Sequence, residues 1–110
     1  MPSKRSLNPA RQVMDEAESE REFQGNVLAL ARMNGWKVRF DWTRLHSPAG
    51  YPDLTLVRGE TIIYAELKTE KGKATEFQKE WLKALAGCTT ESHLWRPRDF
   101  DAIVIRLSKE

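Results

Sequence analysis

Leu54-Thr55-Leu56-Val57-Arg58-Gly59-Glu60-Thr61-Ile62-Ile63-Tyr64-Ala65-Glu66-Leu67-Lys68 is the stretch on which the fold turns. Residues 54–57 and 61–68 are rich in the branched and aromatic side chains that suit a pleated, half-buried surface. Arg58-Gly59-Glu60 between them makes a tight turn, so the two runs are expected to form an antiparallel hairpin. In a strand, residues two apart share a face, so Glu66 and Lys68 project side by side while Leu67 points to the opposite layer. Asp53 starts the first strand. The turn lies about midway between Asp53 and Glu66, so hairpin pairing is expected to set these two carboxylates beside each other.

Upstream of the hairpin, Trp36-Lys37-Val38-Arg39-Phe40 alternates apolar and basic residues and reads as a strand with Lys37 and Arg39 outward. Residues 41–52, with Ser47-Pro48-Ala49-Gly50, read as a loop. From Glu18 to Asn34 the apolar spacing is helical through Phe23, Val27, Leu30 and Ala31, and Asn34-Gly35 supplies the stop. Residues 1–17 are expected to be a flexible basic arm, either a solvated tail or a contact to a DNA backbone. Downstream, residues 70–74 are a polar loop. Thr75-Glu76-Phe77-Gln78 matches a helix capping box, followed by an apolar stripe of Phe77, Trp81, Leu82 and Leu85 closed by Gly87. His93-Leu94-Trp95 is a short strand ended by Arg96-Pro97. Phe100, Ile103, Val104 and Leu107 fit a last helix, with a strand as the alternative because of Ile103-Val104-Ile105. The order is helix, three strands, helix, strand, helix, and its simplest packing is an α/β fold with a mixed central sheet flanked by helices.

The 110 residues fit one domain, expected over 18–110, large enough for a core without disulfide or zinc staples. Ten aromatic residues (four Trp, four Phe and two Tyr) argue against a disordered chain. The net charge of +2, from 18 basic and 16 acidic residues, permits nucleic-acid binding only where the positive charge is clustered. Cys88 is the only cysteine, which excludes an intrachain disulfide, and with His46 and His93 it gives no zinc spacing. Neither a signal-peptide core nor a membrane-length apolar run is present, so a soluble, cytoplasmic protein without membrane contact is expected.

Asp53, Glu66 and Lys68 carry the chemistry. Carboxylate oxygens suit hard cations such as Mg2+ or Mn2+, with the carbonyl of Leu67 available as a further ligand. Such a metal polarises a phosphodiester, and Lys68 can orient water or stabilise charge on the phosphate. The competing reading is a surface Glu66–Lys68 salt bridge. Against it, the apolar run 61–65 suits a central strand, where charges are costly without a purpose. A third acid comes from the first helix, where Glu20 borders the core-facing stripe with Gln24 beside it. Its alternative is a favourable charge near a helix N-terminus.

At these residues the sequence resembles the VRR-NUC branch of the PD-(D/E)XK nucleases. The resemblance is carried by Gly50-Tyr51-Pro52-Asp53, Ala65-Glu66-Leu67-Lys68-Thr69, Gly72, Gln78 and Trp81-Leu82. It extends to Ser19-Glu20-Arg21-Glu22-Phe23-Gln24 and Trp95-Arg96-Pro97, spanning about residues 19 to 107. It implies a restriction-endonuclease-like αβββαβ core and metal-dependent DNA cleavage. Asp53 and Glu66 match metal-binding acids, Lys68 the catalytic lysine, Glu20 a helical acid and Gln78 a glutamine near the site, a helix cap being its full structural alternative. Compact members of this kind resemble phage or bacterial proteins acting in the cytoplasm on branched or four-way-junction DNA, sometimes as homodimers. Lys37, Arg39, Arg44, His46, Lys71 and Lys73 are candidate phosphate contacts, each with a solvated charge as the alternative. The competing functions are a non-catalytic DNA-binding module of this fold and a protein-interaction domain.

Overall fold

The computed structural model describes residues 9–41 and 47–109, with the side chains of the first helix described from Glu20 onward. Along the chain come α1 (Pro9–Met33), β1 (Lys37–Phe40), β2 (Leu54–Arg58), β3 (Thr61–Leu67), α2 (Glu76–Ala86), β4 (Glu91–Trp95), a single 3-10 turn (Pro97–Asp99) and α3 (Phe100–Ser108). The four strands lie in chain order, β1-β2-β3-β4. The first two pairings are antiparallel and the third is parallel, which α2 makes possible by carrying the chain back across the sheet. The α/β class, the mixed sheet and the order of elements are those expected from the sequence, and the last element is a helix.

Two local readings change. The first helix begins at Pro9, nine residues before Glu18, so the second half of the stretch expected to be an arm is helical. Pro9 is tolerated there because the first turn of a helix leaves its N–H groups unbonded anyway. The residues that follow are mostly good helix formers without a strong apolar stripe, so propensity sets this start and periodicity does not reveal it. At the other end, Gly35 at φ 82° closes α1: its N–H donates to Arg32 O and that of Trp36 to Ala31 O. The second change is in α2, where Phe77 is 59% exposed and the buried position is Gln78. The inward face of that helix runs Gln78, Trp81, Leu82, Leu85, with Phe77 at its flank.

Strand alternation divides the sheet into two unlike faces. Leu54, Leu56, Ile63, Ala65 and Leu67 face α1 and α3, meeting Phe23, Val27, Ala31, Ile103 and Leu107 in one apolar core. On the opposite face α2 covers the β3–β4 side. Gln78 reaches Glu66, Trp81 packs through Tyr51 to Tyr64, and Ser92 Oγ donates to Leu82 O.

The helix C-termini on the core side are locked by cations. Trp36 Nε1 donates to Leu107 O at 2.9 Å, and the Arg58 guanidinium lies 4.3 Å over the Trp36 ring. Arg58 Nη1 donates to Asn34 O and Leu107 O at 3.0 and 2.8 Å, and Nη2 to Lys109 O. A fixed cation at carbonyls left over by α1 and α3 offsets the negative ends of both helices. Arg58→Ala is expected to lower stability by about 1–3 kcal/mol, read by urea unfolding, because charged hydrogen bonds are lost together.

Glu91 takes three hydrogen bonds from the Arg106 guanidinium, at 2.7 to 3.0 Å, and its carboxyl lies below the usual value of 4.5, mainly for that reason, with His93 adding to it. A lowered carboxyl pKa in the folded state contributes stability above the unfolded value and loses it as pH falls through the folded one. The stability difference between the parent and Arg106→Gln is therefore expected to shrink as acid unfolding is followed downward from pH 4.5. A constant difference would show that the pair does not act through this ionisation.

Candidate functional site

Register settles where the acids go. Arg58 pairs with Thr61 and Leu54 with Ala65, so one further step sets Asp53 opposite Glu66. On the other side, Phe40 pairs with Leu54, and Asp41 N–H donates to Asp53 O at 2.9 Å, setting Asp41 opposite Asp53. Residues directly opposite in adjacent strands share a face. Asp41, Asp53 and Glu66 thus form a row across one end of the sheet, on the face away from the apolar core. Lys68 N–H donates to Trp95 O at 2.9 Å, so the ladder continues one residue past β3 and Lys68 projects to the same face as Glu66. Asp53 is 4% exposed and Glu66 0%, while Lys68 is half-buried.

Gln78 ties this row to α2. Its Nε2 donates to Glu66 Oε1 at 3.0 Å, while its Oε1 accepts from Thr75 N–H at 2.8 Å. Thr75 Oγ1 in turn accepts from Gln78 N–H at 3.1 Å, completing the capping box. One buried amide therefore serves as both helix cap and hydrogen-bond partner of Glu66. The amide fixes which way Glu66 points, and the start of α2 fixes the amide.

The segment before Asp53 is pressed onto that same helix start. Gly50 has φ 81°, and a Cβ there would lie 2.6 Å from Gln78 N and closer still to the Phe77 carbonyl carbon. Only glycine lets the loop backbone approach this closely in this conformation. Next to it, Tyr51 meets the rings of Trp81 and Tyr64 edge-on, with centroids 4.9 and 6.3 Å apart. Burial, then the neighbouring Tyr64, raise the Tyr51 hydroxyl above its usual pKa, so it stays a neutral anchor. Gly50 and Tyr51 thus deliver Asp53 to its place opposite Glu66.

The other candidates fall into four groups. Lys37 and Arg39 are exposed, and the pairing of Arg39 with Thr55, and of Thr55 with Tyr64, puts them on the face of the acids. Lys71 and Lys73 are exposed in the loop after Lys68. Arg44 and His46 lie outside the described residues. Glu20 is exposed on α1 and accepts from Gln24 Nε2 at 3.3 Å. It does not join Asp53 and Glu66, for among the described residues no three His, Cys, Asp or Glu groups gather as metal ligands. The helix packs on the core face, whereas the acids occupy the other. Asp41 is the residue that sequence reading missed. Its signal was present, since continuing the alternation of residues 36–40 by one step places it on the outward face of Lys37 and Arg39.

The donor set fits a hard divalent ion. Mg2+ keeps several waters and commonly binds through one or two carboxylates together with substrate phosphate. Asp53 and Glu66 would supply such a pair, and a bound cation would offset the cost of burying their carboxyl groups.

This element order and sheet define an αβββαβα chain of the restriction-endonuclease-like α/β class. Its fold is VRR-NUC-like, that of a branch of the PD-(D/E)XK nucleases. Among solved structures it is similar to a "VRR_NUC domain protein" with a TM-score of 0.61 and 25% sequence identity, covering 80% of this chain and 85% of that one. No family model and no curated protein matches the chain. No helix among the described residues is long and apolar enough to cross a membrane.

Gly50→Ala is expected to lower stability by about 2 kcal/mol or more, since a positive φ and a backbone clash act together. Thermal unfolding checks this. Wild-type stability in that variant would mean that the loop does not rest on α2.

Proposed function

We propose that the chain is a divalent-metal-dependent DNA endonuclease that hydrolyses phosphodiester bonds. The observation that carries this reading is the register that sets Asp53 opposite Glu66, both buried, with Lys68 two residues further along the same face. Asp53 and Glu66 would hold Mg2+ or Mn2+, and the carbonyl of Leu67 lies between Glu66 and Lys68 as a further oxygen donor. Such an ion, when bound, supplies Lewis acidity to a phosphodiester. Lys68 holds a cationic donor where negative charge accumulates on the phosphate and can orient the attacking water. Gln78 keeps the Glu66 carboxylate in one orientation, so little reorganisation remains for the moment of reaction.

The substrate class follows from charge and placement. Lys37 and Arg39 on the face of the acids, with Lys71 and Lys73 after Lys68, suit a polyanionic backbone laid across the open side of the sheet. Arg44 and His46 belong to the same proposal. Branched or four-way-junction DNA is the form proposed, and cutting two strands there takes two sites, which a symmetric homodimer supplies.

The test is a cleavage panel of single strands, duplex, flaps and a four-way junction with Mg2+ or Mn2+. Asp53→Asn and Lys68→Ala are expected to reduce cutting by about a thousandfold or more while the circular dichroism spectrum stays that of the parent. Calorimetry with Mn2+ is expected to show binding to the parent and to Lys68→Ala, and much weaker binding to Asp53→Asn. Variants that cut as well as the parent would sink the assignment, and Mn2+ binding without cleavage of any substrate would leave a binding module instead.

A further inference from the structure

The segment that follows Lys68 is held by a cation for which the proposed chemistry has no use. Because β3 and β4 run parallel, their C-terminal ends emerge together, and the turn after β3 meets the turn after β4. Arg96, the first residue past β4, sends Nη1 to Thr69 O at 2.6 Å, Glu70 O at 3.2 Å and Gly72 O at 2.6 Å. Its own backbone is pinned, since Arg96 N–H donates to Asp99 Oδ2 at 2.9 Å. The turn is also closed from within, Gly72 N–H donating to Thr69 Oγ1 at 3.0 Å, and Arg98 pairs with Glu70 at 3.1 Å. A Cβ at Gly72 would stand 3.5 Å from Lys68 Cδ, so this turn forms one wall beside the Lys68 stem.

We infer that Arg96 is a positioning residue for Lys68, acting by clamping the Thr69–Gly72 turn against the lysine's alkyl chain. A long, flexible lysine is effective only when its ammonium is confined to the place where charge develops. The guanidinium does this without touching substrate. It fixes three carbonyls in a turn, Thr69-Glu70-Lys71-Gly72, that carries no large apolar side chain to pack it in place. The inference rests on the reading of Lys68 as the site's cationic group.

The experiment compares the full-length parent with Arg96→Gln and Arg96→Lys. Hydrogen exchange is followed at the amides of residues 69–72, with reductive methylation of the Lys68 amine and steady-state cleavage of the substrate the parent cuts best. In Arg96→Gln, the Gly72 amide is expected to lose about tenfold or more of its protection while the core strands keep theirs. The Lys68 amine is expected to methylate faster, and kcat to fall about tenfold or more with KM changed less than about threefold. Arg96→Lys, which keeps a charged donor, is expected to recover part of each. Unchanged exchange at 69–72, or a parental kcat despite a loosened turn, overturns the inference. If Arg96→Gln loses protection throughout the chain, Arg96→Lys carries the test by the same readouts. A parent that cuts no DNA defeats the nuclease reading instead. Exchange and methylation then decide alone, faster Lys68 modification supporting the clamp and an unchanged rate overturning it.

Discussion

A carboxylate with no solvent exposure has to be held by something, and at Glu66 the hydrogen bond from the Gln78 amide is the contact around which the site end of the molecule is organised. Desolvating a charged group is among the costliest events in folding, and charge-assisted hydrogen bonds are the main means of offsetting it. Gln78 can supply one only if its side chain turns inward, and the same amide then closes the capping box with Thr75. The start of α2 is thereby fixed against the end of β3. That fixed start is the floor on which Gly50 rests, and Gly50 is three residues from Asp53. Helix capping, loop docking and carboxylate placement are consequently one cooperative arrangement.

The two faces of the sheet divide structural and chemical roles. Apolar residues on one face meet α1 and α3 in a dry core, and the cations Arg58 and Arg106 finish that side around Trp36. Among the described residues, α2 covers the other face only on its β3–β4 side, beside the acids. Asp41 belongs to the β1–β2 side. Ser47 Oγ donates to its carboxylate, so the residues flanking the 42–46 segment are joined next to Asp53.

The hairpin was readable from sequence because two strong local signals agreed: alternating β-formers and a glycine-containing turn midway between Asp53 and Glu66. The end of α1 was equally readable, since Asn34-Gly35 leaves few other ways to satisfy the last carbonyls. What escaped depended on pairing between distant segments. Helical periodicity singles out Glu20 among the acids of α1 but says nothing of which sheet face α1 covers. Local alternation puts Asp41 on the face of Lys37 and Arg39, but its place directly opposite Asp53 comes from the β1–β2 register. Phe77 reads as inward because it is apolar, whereas the buried position belongs to polar Gln78 on account of Glu66. The grip of Arg96 on a turn 24 to 27 residues earlier needed the parallel pairing of β3 with β4, which no local pattern specifies.

That parallel pairing has a consequence for a chain leaving the ribosome. The hairpin bearing Asp53 and Glu66 is complete once residue 67 has emerged, because its partners are adjacent in sequence. The bond from Lys68 N–H to Trp95 O, and the hold of Arg96 on the turn beyond it, wait for nearly thirty more residues. Nascent chains form contacts in the order in which their parts appear, and contacts between distant residues close late. A chain that has emerged as far as residue 67 would therefore already pair its two acids while its lysine was still unanchored, and the surroundings of that lysine are completed only when residue 96 has followed.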